Sequence, residues 1–286
     1  MPPRAPHILI TGGSKGIGLS TAHLFASHGY RCTLLSRSSS ALKAAVSSLP
    51  PLAPAHAAGP GHAYIVGDIK SSDFWDPRSS APESFGRWLP KPHSKDEAHA
   101  SRIDVLVNCA GITQTRLFTG ISDDDIRNIM DTNLTGMITG TRALIRNGYL
   151  RGKQIGTRAQ RIDGPDREAK ETEASIAPVI INVSSLLGLQ GGYGAVAYAA
   201  SKAGVLGFTR ALATEYAVHG VRVNAIVPGY VETDMTKSLN ASVLAQKIPL
   251  GRLGKPDEIA QAALFLAENQ YAHNCILNLD GGLSAF

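Results

Sequence analysis

His7-Ile-Leu-Ile-Thr-Gly-Gly-Ser-Lys-Gly-Ile-Gly18 is the stretch that decides the fold. His7 to Thr11 reads as a short apolar strand, and an amphipathic helix runs from about Ile17 to His28. Between them lies Gly12-x3-Gly16-x-Gly18. Strand, glycine turn and helix in that order suit a dinucleotide phosphate. Glycines let the backbone turn sharply and approach a pyrophosphate closely. The helix N-terminus then offers unbonded N–H groups and the positive end of its dipole. The same glycines could make a plain tight turn, but the two flanks together favour a phosphate loop. Its candidate residues are Gly12, Ser14, Lys15, Gly16, Ile17 and Gly18.

Outward from that loop, strands and helices alternate. Arg31–Ser36 is a second strand, and the residues at its C-terminal end select the cofactor. An acidic residue there would hold an adenosine ribose diol. The chain instead reads Ser36-Arg37-Ser38, and with Lys15 it offers two cations suited to a 2′-phosphate. That points to NADP(H) over NAD. Ala41–Leu49 reads as a helix, and 50–61 as a linker without readable function. Ala63–Ile69 is the third strand, ending with Asp68 and Ile69 placed to touch adenine. Ile103–Val107 is the fourth. Asn108-Cys-Ala-Gly111 comes next, and the small residues there, with Asn108, Ala110 and Gly111 as candidates, let backbone approach a flat ring. Ser122 caps a long helix with acidic residues in its first turn. Asn133 lies inside that helix, where its propensity is poor and asks for a reason. Pro178–Val183, Val221–Val227 and Asn274–Leu279 are strands five to seven, and Pro256–Glu268 is the last long helix. This alternation predicts an α/β fold with a parallel sheet in one domain, residues 1–286. Two polar insertions, near 71–100 and 146–177, read as surface loops. The first carries Trp75 and Trp88, both expected to be exposed.

The chemistry concentrates at Ser185–Lys202. Tyr198 and Lys202 are four apart on a helical run, so they share one face. A nearby ammonium favours phenolate, so the tyrosine is expected to titrate below its usual value of about 10. A phenol tuned that way can give a proton to a developing alkoxide. Ser185, thirteen residues before Tyr198 at a strand end, can reach the same oxygen. Alone, a tyrosine four before a lysine is usually surface decoration; the rest of the chain gives it purpose.

Composition narrows the class. The 286 residues are 43% hydrophobic and 18% charged, as in globular proteins. No apolar run reaches the length of a membrane span, and the N-terminus shows no secretory apolar region. Cys32, Cys109 and Cys275 read as reduced core residues, and neither disulfides nor a metal site are expected. A net charge of +5 without a concentrated basic stripe does not argue for nucleic acid.

Four motifs agree in order and spacing: Thr11-Gly-x3-Gly-x-Gly18, Asn108-Cys-Ala-Gly111, Ser185 with Tyr198-x3-Lys202, and Pro228-Gly229. Together they resemble the short-chain dehydrogenase/reductase family over all but the two insertions. Val221–Thr236 and Ile248–Ile259 are worded most like its 3-oxoacyl-[acyl-carrier-protein] reductases. The resemblance implies a Rossmann-type doubly wound sheet of order 3-2-1-4-5-6-7 with helices on both faces, assembled as a homotetramer. It implies that Tyr198 is the general acid, and that Lys202 tunes it and bonds the nicotinamide ribose. It implies that Ser185 bonds the substrate carbonyl and that Asn133 holds a relay water. Pro228, Gly229, Val231 and Thr233 would meet the nicotinamide end. Ser184 and Tyr193 are decoys by spacing. The implied reaction is NADPH-dependent reduction of a 3-oxoacyl thioester in fatty acid synthesis. An acyl-carrier protein is the implied partner, with the mitochondrial matrix as compartment and the cytoplasm as the alternative. Two departures stand out. Cys109 replaces a commoner asparagine. The turn Ala217-Val-His-Gly220 also lacks the Arg or Lys that carrier-binding members often have, unless the basic second insertion supplies that contact. A reductase of other ketones, or a non-catalytic NADP-binding scaffold or sensor, are the alternative readings.

Overall fold

The computed structural model describes residues 4–54, 60–76, 78–79, 81, 84–89, 101–114, 116–153 and 177–285. Seven strands form one sheet: β1 His7–Thr11, β2 Arg31–Ser36, β3 Ala63–Val66, β4 Val105–Asn108, β5 Val179–Val183, β6 Arg222–Pro228 and β7 Ile276–Leu279. Their order is β3-β2-β1-β4-β5-β6-β7, and every neighbouring pair is parallel. The expected order and doubly wound architecture are therefore observed. The order reverses beside β1, so the C-terminal ends of β1 and β4 flank the crevice where such sheets bind ligands.

Both sheet faces are buried, which explains the unbroken apolar runs. Ile8 and Ile10 face one core with the Gly16–Ser27 and Pro256–Glu268 helices, while Leu9 faces the other. Val105 and Val107 against Leu106 in β4, and Val179 and Ile181 against Ile180 in β5, repeat the alternation. Two paired strand ends carry a buried polar ladder. Asn108 Nδ2 donates to Thr141 Oγ1 at 3.1 Å and to Asn182 Oδ1 at 2.9 Å, and Asn182 Nδ2 donates to Thr209 Oγ1 at 2.9 Å. The ladder fastens the Gly136–Arg146 and Val196–Tyr216 helices to the middle of the sheet, close to the crevice.

Three expectations change. β3 stops at Val66; Gly67 N still donates to Ser36 O at 3.0 Å, and 67–69 form the crevice wall. The helix opened by Ser122 is α-helical only to Met130; Asp131–Thr135 is a π-helical turn, and Asn133 sits in it. Such turns relax the backbone ladder locally and recur at functional sites. The first insertion is also more than a solvated loop. Short helical turns at Ser72–Trp75 and Phe85–Trp88 bury Phe74, Trp75 and Phe85. Trp75 is 5% exposed and Trp88 44%, so only the second matches the expectation of exposure. Most of the second insertion, 154–176, lies outside the described residues, as do 90–100 of the first.

Candidate active site

A cleft of about 730 Å³ opens at the C-terminal ends of β1, β2, β3 and β4. Gly12, Ser14, Lys15, Gly16 and Ile17 line one side, Ser36 and Arg37 the next, and Asp68 with Ile69 the third. Ala110, Gly111 and Thr233 complete it. Thus twelve of the residues singled out for a dinucleotide converge on one cavity, from five separate chain segments.

Glycine is required here by space. Gly12 has φ +71, and a Cβ on it would stand 2.8 Å from Ala110 Cα. A Cβ on Gly18 would stand 2.3 Å from the Gly12 carbonyl oxygen. Gly18 therefore does not line the cleft; it lets the helix close against the loop. Thr11 holds the opposite wall, because its hydroxyl accepts from the Cys109 and Ala110 amides, each at 3.2 Å.

Several of the expected residues are also engaged within the protein. The Asn108 side chain belongs to the buried ladder and turns from the cleft. Pro228 and Gly229 are spent on packing: the Pro228 carbonyl accepts from Leu186 N at 2.9 Å, and Gly229 N donates to Leu279 O at 2.8 Å. Val231 is 4% exposed and bridges to Gly254. Lys15 is partly engaged, with Nζ 3.6 Å from Asp234. Asp68 accepts from the Lys70 amide at 3.0 Å, the turn contact common for such a residue.

Beside the cleft, Tyr198 and Lys202 rise from the Val196–Tyr216 helix. Lys202 Nζ donates to the Val183 carbonyl at 2.9 Å and lies 5.9 Å from the Tyr198 ring centroid. It also borders Gly111 in the cleft wall, where a Cβ would stand 3.4 Å from Nζ. Ser185 accepts from Leu187 N at 3.2 Å, and its hydroxyl is near enough to the Tyr198 phenol to act on its titration. Ser184 turns the other way, its hydroxyl donating to the Lys202 carbonyl at 2.7 Å, and Tyr193 is 94% exposed.

The electrostatics reverse the expected tuning. Burial pushes the Tyr198 phenol above its ordinary value, with Ser185 pulling it down against that. Burial also lowers Lys202 to about 8, the Cys109 thiol acting weakly in the other direction. Desolvation disfavours the charged form of each group, and here it outweighs Ser185 at the phenol and Cys109 at the ammonium. Cys109 itself is pushed up to about 11 by burial, offset in part by Lys202.

Asn133 is spoken for. Its Oδ1 accepts from Ile112 N at 2.8 Å, and its Nδ2 donates to Ile112 O at 2.9 Å and Ser201 Oγ at 3.0 Å. Ser201 in turn donates to the Tyr198 carbonyl at 2.7 Å. Both side-chain donors are thus used within the protein, and the unfavourable mid-helix asparagine has its reason. Sequence reading missed Thr132, Ile112, Asp234 and Met235, which also line the cleft. No local pattern marks them, since each arrives by tertiary contact.

Residues 6–76 and 93–157 match the family model described as short chain dehydrogenase, and 167–284 match one described as enoyl-(acyl carrier protein) reductase. A 3-oxoacyl-[acyl-carrier-protein] reductase FabG of Chlamydia muridarum is 34% identical over 281 residues, covering 96% of each chain. The 3-oxoacyl-[acyl-carrier-protein] reductase of Homo sapiens is 34% identical over 274 residues, again covering 96% of each. Carbonyl reductase family member 4 of Danio rerio is 33% identical over 275 residues, with 96% of each covered. A crystal structure of a short chain dehydrogenase from Bacillus anthracis superposes with TM-score 0.74 at 26% identity, over 98% of this chain and 96% of that one. Sequence relatives along nearly the whole chain, and a shared fold, lead to one conclusion: this protein belongs to the short-chain dehydrogenase/reductase family and is an oxidoreductase.

Proposed function

We propose that the protein reduces a 3-oxoacyl thioester to the 3-hydroxyacyl thioester with NADPH. The observation that carries this is the meeting of Ser185, Tyr198 and Lys202 beside the glycine-walled cleft. The cleft fits a dinucleotide. Gly12 and Gly18 let the loop backbone pack closely around it, and Ser36 Oγ and Thr132 Oγ1 are buried with no hydrogen-bond partner among the described residues. Arg37 lines it, and no acidic residue ends β2, which supports NADPH over NADH.

A bound reduced nicotinamide supplies hydride to the ketone carbon. Ser185 orients the carbonyl oxygen by hydrogen bonding. Tyr198, kept protonated by its burial, gives its phenolic proton to that oxygen as negative charge develops. Lys202, anchored on the Val183 carbonyl, stabilises the phenolate that remains. Asn133 and Ser201 hold the backbone that carries the phenol. General acid catalysis of this kind contributes roughly 10²–10⁴-fold.

The names of the bacterial and human relatives support a carrier-bound substrate. So does the placing of the second insertion's first residues. Gly152 and Lys153 lie against Gly220, so Arg151 and Lys153 add exposed cations beside the turn that lacks them. A mitochondrial setting, with the cytoplasm as the alternative, is what the family resemblance implies and is part of this reading. The exposed Phe265 and Tyr271 and the open edge of β7 support a homotetramer, which light scattering would check. A second reading, reduction of free ketones, rests on the carbonyl reductase relative.

The test is turnover of acetoacetyl thioesters on carrier protein and CoA against simple ketones, with NADPH and NADH. Thioester turnover with NADPH, reduced at least about 10²-fold in Tyr198→Phe, is expected. Near-normal turnover by Tyr198→Phe sinks the assigned acid, and turnover of ketones alone selects the second reading.

A further inference from the structure

The helix that bears Tyr198 starts without a cap of its own. Ala195 precedes it and has no side-chain oxygen to offer the first-turn amides, which are unbonded in any helix. The cap comes from far away in the chain. Gln114, in the loop after β4, is 9% exposed. Its Oε1 accepts from Ala197 N at 2.9 Å and lies 3.4 Å from Tyr198 N, and its Nε2 donates to Arg116 O at 2.7 Å. The same loop carries Gly111, in the cleft wall against Lys202, and Ile112, pinned by Asn133. Thus one short segment is tied both to the cleft floor and to the amide of the proposed acid.

We propose that Gln114 is a positioning residue for the reaction: its amide oxygen sets the start of the Val196–Tyr216 helix, and so fixes Tyr198 relative to the dinucleotide cleft. The role rests on Tyr198 being the acid. Gln114 touches no reacting atom in this arrangement. It acts through the helix start, and a displacement of about 1 Å at a reacting group can cost on the order of 10²-fold. A neutral acceptor is also well chosen. It satisfies the amides without burying a full negative charge at the helix start.

The experiment compares Gln114→Leu, which keeps the bulk but removes the acceptor, with Gln114→Glu, which keeps the acceptor. Three quantities are read: amide hydrogen exchange at Ala197 and Tyr198, the dissociation constant for NADPH, and kcat with the best substrate. In Gln114→Leu the two amides are expected to exchange faster and kcat to fall about 10- to 100-fold, with NADPH binding within about threefold of normal. Gln114→Glu, which keeps the acceptor but loses the donation to Arg116 O, is expected to restore part of the amide protection and of kcat. Unchanged exchange in Gln114→Leu overturns the proposal, as does faster exchange with kcat unchanged. The exchange measurement needs no substrate, so a wrong substrate assignment leaves the capping result standing on its own.

Discussion

Burial governs the Tyr198–Lys202 pair at the scale of the residue. Four-residue spacing suggests a lysine pulling a phenol toward ionisation. In the folded chain the lysine holds the Val183 carbonyl, and water is excluded from both groups. The phenol goes up and the ammonium down. For a reductase that is a workable arrangement, since the acid must carry its proton at neutral pH. It has a cost at high pH. Lys202, with a value of about 8, is charged below that pH and neutral above it. If its charge serves the reaction, kcat/KM for the dinucleotide, which reports the free protein, should hold below about pH 8. Above it the value should fall roughly tenfold per unit. Tyr198 ionises later and does not set this limb. A profile flat to about pH 9.5 would show that Lys202 keeps its proton or that its charge is idle.

The first insertion shows at the scale of the element how composition misleads. Prolines and polar residues around 71–100 read as solvent-exposed loop, yet the described part plugs a core. Ser71 accepts from Phe74 N at 3.2 Å and caps the short turn. Trp75 then stacks edge-on to Phe74 at 4.7 Å and packs against Phe85 at 5.3 Å, while Phe85 meets Tyr149 at 5.4 Å. Gly140 leaves room for the indole, since a Cβ there would stand 2.6 Å from it. The indole N–H donates to the Ile69 carbonyl at 2.9 Å, and Ile69 lines the cleft. So the insertion buttresses the cleft wall. Trp75→Ala should lose about 3–5 kcal/mol of stability by urea titration. Trp88→Ala, half in solvent, should change it by less than about 1 kcal/mol. Equal losses would mean that the cluster does not bear on the fold as its packing indicates.

At the scale of the molecule, one buried arginine joins the sheet to its C-terminal helix. Arg222, at the start of β6, is 6% exposed. Its Nη1 donates to Leu266 O at 2.6 Å and to Asn269 O and Ala272 O at 3.0 Å, and its Nη2 to Ala267 O at 2.6 Å. Leu266 and Ala267 offer carbonyls that a helix end leaves unbonded, at the negative end of its dipole, while Asn269 and Ala272 lie in the turn beyond it and also accept from Ala272 N and Asn224 Nδ2. Arg222→Met should cost at least about 3 kcal/mol, because several buried carbonyls lose their donor. Arg222→Lys should recover little, since an ammonium cannot reproduce the guanidinium fork. A lysine variant with the wild-type urea midpoint would disprove that account.

What the chain spells out by itself is local or rests on fixed spacing. Apolar runs bounded by glycine and proline mark strands. Glycines at 12, 16 and 18 mark the loop, and Tyr198 with Lys202 shares a helical face because four residues make about one turn. Those features need only short-range sterics and periodicity, and the sheet observed agrees with them. Tertiary structure alone decided the rest. It chose which groups lose water, and so reversed the expected shift of Tyr198. It committed Asn133 to Ile112 and Ser201. It buried Trp75 but not Trp88, and it brought Gln114 from 84 residues upstream to cap the helix that bears Tyr198. Desolvation and side-chain hydrogen bonding depend on neighbours distant in the chain, and no window of sequence contains them.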